Sequence, residues 1–182
     1  MITVIEIPIE EFKKDIYNRY TKLFPKDEQR EWKKIEKTYS NGIEHFYKIV
    51  IDNINIGFII LEKINNNPYY IDYFAIYEEY QNKGYGTSAI KYLIDNIIMD
   101  KGLIAEIEKV KEDDLQTINR LNFYKNIGFK EVGSEYLLYN VCYEPIAYLN
   151  NIDKTLVDKS FFEYYITNVG KEDLEKNCKI IK

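Results

Sequence analysis

Histidine is almost missing from this 182-residue chain: His45 stands alone, and the two cysteines, Cys142 and Cys178, are isolated from each other. Zinc centres are built from clustered Cys and His at short spacings, so no metal site is expected here. Two lone cysteines also make no disulfide framework, and free thiols in a cytoplasmic protein are the expectation. Long apolar runs are lacking too. The strongest, Ile54–Leu61, is interrupted by Asn55 and Gly57 and falls well short of the ~20 residues that span a bilayer. The opening Met-Ile-Thr-Val-Ile-Glu has no basic region and no small-residue cleavage site. A cytoplasmic protein without a membrane partner is expected. There is no excess of positive charge: Lys+Arg 25 against Asp+Glu 30 gives −5. That excludes the basic footprint of a nucleic-acid binder and mildly favours a cationic substrate.

What the chain does have is aromatic weight, with 18 Tyr and 9 Phe, far more than disordered segments carry. Its length suits one domain, 1–182, with a core over about 1–149 and a C-terminal helical extension over about 150–182. The hydrophobic periods predict a strand over Met1–Pro8. A helix over Ile9–Phe24 follows, with Phe12, Ile16, Tyr20 and Leu23 inward, then a polar helix over Asp27–Tyr39. The runs Glu44–Ile51 and Ile56–Ile64 read as a hairpin, and 65–68 as a breaker. A strand over Tyr69–Tyr77, a loop, a helix over Gly84–Asp100 and a short strand over Leu103–Glu108 come next. Asp113 with Gln116 three residues on forms a capping box for a helix running to Asn126, with Gly128 as its left-handed cap. Phe129–Tyr139 and Val141–Leu149 read as a strand pair, and Thr155–Val169 as a terminal helix rich in aromatics, there to cover the sheet or form a dimer surface. This order predicts an α/β (α+β) fold in which helices cover a mixed, predominantly antiparallel central sheet on both faces.

One loop carries chemistry. Gln81-Asn82-Lys83-Gly84-Tyr85-Gly86-Thr87 lies between a strand and a long helix. Its glycines let successive N–H groups converge on one anion, and the helix N-terminus adds partial positive charge. The loop reads either as a phosphate cradle or as a tight turn with close helix packing. A Walker loop is excluded, since no Gly-Lys-Ser/Thr ends it. A Rossmann dinucleotide loop remains an alternative: Gly84 to Ala89 fits G-x-G-x-x-A, with Glu106 placed for a ribose. Against it, Glu78 to Lys83 separate the glycines from their strand.

Ile71-Asp72-Tyr73-Phe74-Ala75-Ile76 followed by Tyr80-Gln81-Asn82-Lys83-Gly84-Tyr85-Gly86 resembles the acetyl-CoA signature of the GNAT acyltransferases, Q/R-x-x-G-x-G/A after an apolar strand. Asn119-Arg120-Leu121-Asn122-Phe123-Tyr124-Lys125-Asn126-Ile127-Gly128-Phe129 is similar to the tyrosine helix of that family. The resemblance covers about Met1 to Leu149. It implies an acetyl-CoA-dependent N-acyltransferase in which an amine attacks the thioester directly. Gln81 through Thr87 would hold the pyrophosphate, and the backbone of Phe74, Ala75 and Ile76 the pantetheine arm. Tyr124 would protonate the departing thiolate, and Asn119 would add a cofactor contact. A GNAT-fold module that binds CoA without catalysis is a further alternative.

For the base that takes the amine's proton, Glu106 is the first choice, Asp72 the second and Glu108 the third. Glu106 and Glu108 share one strand face, and a carboxylate on a central strand is costly to bury unless paired or used. All three read equally well as rim carboxylates binding a cationic acceptor. Three positions depart from the family pattern. Thr117 stands where an asparagine is frequent, Arg120 where an alanine is, and Tyr70 where some members carry a glutamate base. The connection 24–30, which in the family borders the acceptor site, reads as a solvated turn, with selection of the acceptor by its charges as the alternative. His45 reads as a satisfied sheet residue. The acceptor is a small-molecule or peptide amine, and the chain a monomer or homodimer.

Overall fold

The computed structural model describes residues 1–65, 68–99, 101–149 and 153–182. By backbone contacts it divides into two units, Met1–Lys63 with Ile71–Ile97, and Ile64–Tyr70 with Ile98–Lys182.

In the first unit, β1 (Ile2–Ile7) runs antiparallel to β2 (Glu44–Ile51), from Ile2↔Ile51 to Ile7↔Phe46. The expected hairpin forms between β2 and β3 (Ile54–Glu62), but its turn is tighter than the sequence suggests. Asp52 and Asn53 alone make it, with φ of 49° and 65°. Positive φ at both central residues matches the right-handed twist of the strands, and Asx side chains tolerate it. The unit's strand order is β1-β2-β3-β4, so the part of β4 (Tyr69–Ile76) belonging to it is an edge strand. Gly57 is needed beside that edge: a Cβ there would lie 2.3 Å from the carbonyl oxygen of Ala75.

The first helical body covers α1 (Ile9–Glu11), a π-helical turn Phe12–Ile16 and α2 (Tyr17–Leu23). Phe12, Ile16 and Tyr20 recur every four residues and are fully buried with Phe46, Phe58 and Ile60. Leu23, expected inward, is 38% exposed; the π turn shifts the helical phase. The predicted helix over 27–39 is shorter, α3 being Trp32–Ser40. The five residues before it serve another purpose. Gln29 Nε2 donates to the carbonyls of Thr21 (2.9 Å) and Phe24 (2.6 Å), and the Arg30 N–H donates to the Tyr20 hydroxyl (2.8 Å). Gln29 satisfies orphan carbonyls at the end of α2, and the segment does not start a helix. The predicted helix from Gly84 is α4 (Tyr85–Leu93) continued by a π-helical turn, Ile94–Ile98, and it packs along β1. Its expected last residue, Asp100, lies outside the described residues, as do Asn66 and Asn67 of the breaker.

In the second unit, β4 and β5 (Leu103–Glu108) form a parallel ladder, Tyr69↔Leu103 and Tyr70↔Ile104. The unit's other ladders are antiparallel: β8 (Val141–Tyr148) pairs with β5, β6 (Lys130–Glu131) and β7 (Tyr136–Leu138), and β7 pairs with β9 (Cys178–Ile180). The strand expected over 129–139 is therefore split. Gly133 marks the break, where a Cβ would meet the Pro145 ring at 2.8 Å. Helix α5 (Leu115–Ile127) is capped by Asp114, not Asp113: its carboxylate accepts from the Gln116 N–H at 2.9 Å and the Thr117 N–H at 3.4 Å. Gly128 ends it at φ 114°, as expected. Helix α6 (Lys154–Val169) buries Val157, Phe161, Tyr164 and Tyr165 among Tyr70, Ile104, Tyr136 and Ala147, so its aromatic face covers the sheet. The short helix α7 (Lys171–Asn177) and β9 were not expected. The whole is a mixed α/β fold with a mostly antiparallel sheet flanked by helices.

Candidate active site

The glycine loop in the first unit is separated from β4 by a single 3₁₀ turn, Glu78–Tyr80. Gln81 anchors the loop, its Nε2 donating to the Ile76 carbonyl at the end of β4 (2.8 Å). Asn82 has φ 60° and Gly84 has φ 75°, so the chain doubles back before entering α4. Gly84 is the N-cap and offers no side chain, which leaves the first-turn amides of Tyr85, Gly86 and Thr87 without a side-chain acceptor. A Cβ at Gly84 would meet nothing within 4 Å, so the mouth of the helix is open. Outward-aimed amides on a dipole of the right sign make an anion cradle. The loop therefore fits an anionic ligand such as a phosphate group. Lys83 is engaged in part: its ammonium donates to the Glu79 carbonyl (3.0 Å) and lies 5.6 Å from the centre of the Tyr80 ring.

Asp72, the second candidate base, sits in a buried polar cluster of the same unit. Arg30 Nη1 donates to Asp72 Oδ2 at 2.6 Å and to Glu62 Oε1 at 2.7 Å, and Nη2 to Glu44 Oε2 at 3.0 Å and Thr38 Oγ1 at 2.8 Å. The Thr38 hydroxyl also donates to Glu44. The side chain of Asp72 is 2% exposed and those of Glu44 and Glu62 are 0% exposed. Burial pushes Glu44 up to about 7 against the pull of Arg30. One guanidinium thus holds three carboxylates, tying the 24–31 connection to β2, β3 and β4. The reading of that connection as a solvated turn fails at Arg30, which is 10% exposed. Tyr73 ties it again, its hydroxyl donating to the Glu28 carbonyl at 2.5 Å.

Glu106 lies half-buried on β5 in the second unit. Its Oε2 accepts from the Tyr70 hydroxyl at 3.0 Å and its Oε1 from the Tyr165 hydroxyl. Tyr70, at the position where the resemblance leads to a glutamate base in some members, thus serves the glutamate on the neighbouring strand. Glu108, two residues on, is half-buried and 3.7 Å from the Lys111 ammonium. Tyr124, on α5, is 7% exposed between Phe123 and Phe129, each ring about 5.0 Å away. Burial pushes its phenol up to about 12, with Arg120 opposing. It therefore keeps its proton throughout the neutral range. Asn119 is exposed on α5. Thr117 is committed to the helix start: its hydroxyl accepts from the Lys111 N–H and donates to the Asp114 carbonyl. His45 pairs with Glu6 at 2.8 Å on the β1–β2 ladder. Sequence reasoning missed Arg30, Thr38, Glu44, Glu62 and Tyr165. No motif spacing could have flagged them, since their partners lie on other elements.

The Acetyltransferase (GNAT) family model matches residues 13–129, and the chain belongs to that family. It is an acetyl-CoA-dependent N-acetyltransferase by that membership. Solved structures share the fold. A Bacteroides thetaiotaomicron protein described as an acetyltransferase of the GNAT family aligns with TM-score 0.74 at 21% identity, covering 93% of this chain and 99% of its own. Arabidopsis thaliana NAA60, crystallised with acetyl-CoA, aligns with TM-score 0.60 at 14% identity, over 84% of this chain and 100% of its own. The Escherichia coli ribosomal-protein-S18-alanine N-acetyltransferase aligns with TM-score 0.59 at 14% identity, over 84% and 96%. A search of curated proteins finds no significant match. The dinucleotide-oxidoreductase alternative is not supported: the family match covers the glycine loop. Among the described residues no helix is long and apolar enough to cross a membrane.

Proposed function

We propose that the protein transfers the acetyl group of acetyl-CoA to a primary amine by direct attack in a ternary complex. The loop amides of residues 81–87 would bind the pyrophosphate, and Phe74, Ala75 and Ile76 would present backbone groups of the β4 edge to the pantetheine arm as an added strand. Asn119 would supply a further cofactor contact. The amine nitrogen bonds to the thioester carbon, the C–S bond breaks with its electron pair on sulfur, and two protons move. Glu106 takes the proton from the nitrogen, directly or through water, and Tyr124 gives one to the thiolate and is reprotonated by solvent. Holding the two reactants together supplies most of the rate.

The observation that carries this division of labour is the contrast between the two carboxylates. Asp72 is consumed by Arg30 at 2.6 Å and is sealed from solvent. Glu106 is half-buried and accepts from the Tyr70 and Tyr165 hydroxyls, one on each oxygen, donors that carry no charge of their own. Asp72 is then an anchor for the 24–31 connection, and Glu106 the base. The net charge of −5 favours a cationic acceptor. With Cys142 and Cys178 both unpaired, a reducing cytoplasm is the proposed setting.

The test is release of CoA from acetyl-CoA in the presence of spermidine, kanamycin, free alanine and an alanine-initiated peptide. Amine-dependent release matched by acetylated product is expected for at least one of them. Thermal stabilisation by CoA and acetyl-CoA with no turnover of any amine would favour the non-catalytic module instead.

A further inference from the structure

Helix α6 lies beyond residue 129, where the family match ends, yet it reaches the proposed base directly. The Tyr165 hydroxyl donates to Glu106 Oε1. The preceding residue acts on the other oxygen at one remove. Tyr164 lies flat on Tyr70, ring centres 4.1 Å apart and planes 8° from parallel, and Tyr70 donates to Glu106 Oε2 at 3.0 Å. One turn of α6 therefore holds both sides of a single carboxylate. The turn itself is firmly seated. Tyr165 is 9% exposed, its ring 4.7 Å from that of Phe161, and Phe161 stacks on Tyr136 at 3.9 Å.

The titratable groups near Glu106 include Tyr70 on β4, Tyr165 on α6, Tyr143 on β8 and Cys178 on β9. The hydroxyls of Tyr70 and Tyr165 each donate to one oxygen of the carboxylate and orient it. Burial and the charge of Glu106 keep the Tyr165 phenol protonated well past the neutral range. It is a permanent donor. A phenol buried on a carboxylate fixes the rotamer of that carboxylate, because any rotation strands a buried hydroxyl.

We infer that Tyr165 is a positioning residue for catalysis: the C-terminal helix, outside the family-matched segment, holds Glu106 in the orientation in which it takes the amine's proton. This rests on the reading of Glu106 as the base. Removing the hydroxyl leaves the ring in place, so Tyr165→Phe separates orientation from packing.

The experiment compares pH profiles of kcat and kcat/KM for the full chain, Tyr165→Phe and Glu106→Gln. Acetyl-CoA is used with whichever of the four panel amines turns over fastest, and melting temperatures are recorded. For Tyr165→Phe, kcat is expected to fall roughly tenfold or more, the range of one hydrogen bond to a charged group. KM for acetyl-CoA and the melting temperature stay near those of the parent. The acidic limb moves to higher pH, since a carboxylate that loses a donor holds its proton more readily. A wild-type profile in Tyr165→Phe beside a crippled Glu106→Gln overturns this inference and leaves the base assignment standing. So does a loss of activity that follows the melting temperature with the acidic limb unmoved. Full kcat in Glu106→Gln overturns the base assignment and this inference together.

Discussion

Arg30→Ala is expected to destabilise the protein more than any other single surface-to-core change of charge. Three carboxylates converge on that guanidinium, and the side chains of Glu44, Glu62 and Asp72 are between 0% and 2% exposed. Truncating the cation leaves them buried without their shared guanidinium, and breaking a buried pair from one side costs roughly 3–5 kcal/mol. Against a total stability of about 5–15 kcal/mol that is a large share. At this chain length it lowers the melting temperature by roughly 6–20 °C. Arg30→Lys restores charge but not the fork that serves Glu62 and Asp72 from Nη1 while Nη2 serves Glu44 and Thr38, so it recovers only part of the loss.

The deficit depends on pH with a definite sign. Burial already raises Glu44 to about 7 with Arg30 in place. A carboxyl raised in the folded state contributes stability that is fully present below its unfolded value and is lost as pH rises through the folded value. Without Arg30, whose charge holds it down, Glu44 binds its proton still more readily in the fold. The melting-temperature gap between wild type and Arg30→Ala is therefore widest above neutrality and narrows toward about pH 5. Melting curves of both proteins across that range check this, and a gap of the same size at every pH would mean the cluster is not the cause.

The largest effect on chemistry is expected from Tyr124→Phe. The phenol sits 7% exposed between the rings of Phe123 and Phe129, contacts that phenylalanine reproduces. Its hydroxyl, raised to about 12 by burial, stays protonated through the neutral range. Losing a general acid costs about 10²–10⁴ in kcat. The expected result is a kcat at least ~10²-fold lower with KM for acetyl-CoA and the melting temperature little changed. Wild-type kcat in Tyr124→Phe would return the residue to the core as a packing tyrosine.

Much of this was legible in the chain because local signals and tertiary demands agreed. β5 at Leu103–Glu108 and the Gly128 cap are each fixed by residues within a few positions. The glycine loop was legible for the same reason: its conformation is set by Asn82 and Gly84 themselves. What failed to show was long-range. Gln29 and Arg30 look like helix residues by composition, but their side chains and amides are taken by Thr21, Phe24 and Tyr20. The Arg30 cluster joins positions 30, 38, 44, 62 and 72, a set with no period. Tyr165 reaches Glu106 across 59 residues. The short α7 offers one buried residue, Leu174, and β9 exists because β7 presents an edge to it. The strand expected over 129–139 is split into β6 and β7, with Gly133 in the gap, where the Pro145 ring leaves no room for a side chain.

The central claim is direct attack by the amine on the thioester, with no acetyl group resting on the enzyme. It is tested most directly by initial rates over a matrix of acetyl-CoA and amine concentrations. The account predicts double-reciprocal lines that intersect, the pattern of a ternary complex. Parallel lines, the pattern of a covalent acetyl-enzyme, would contradict it.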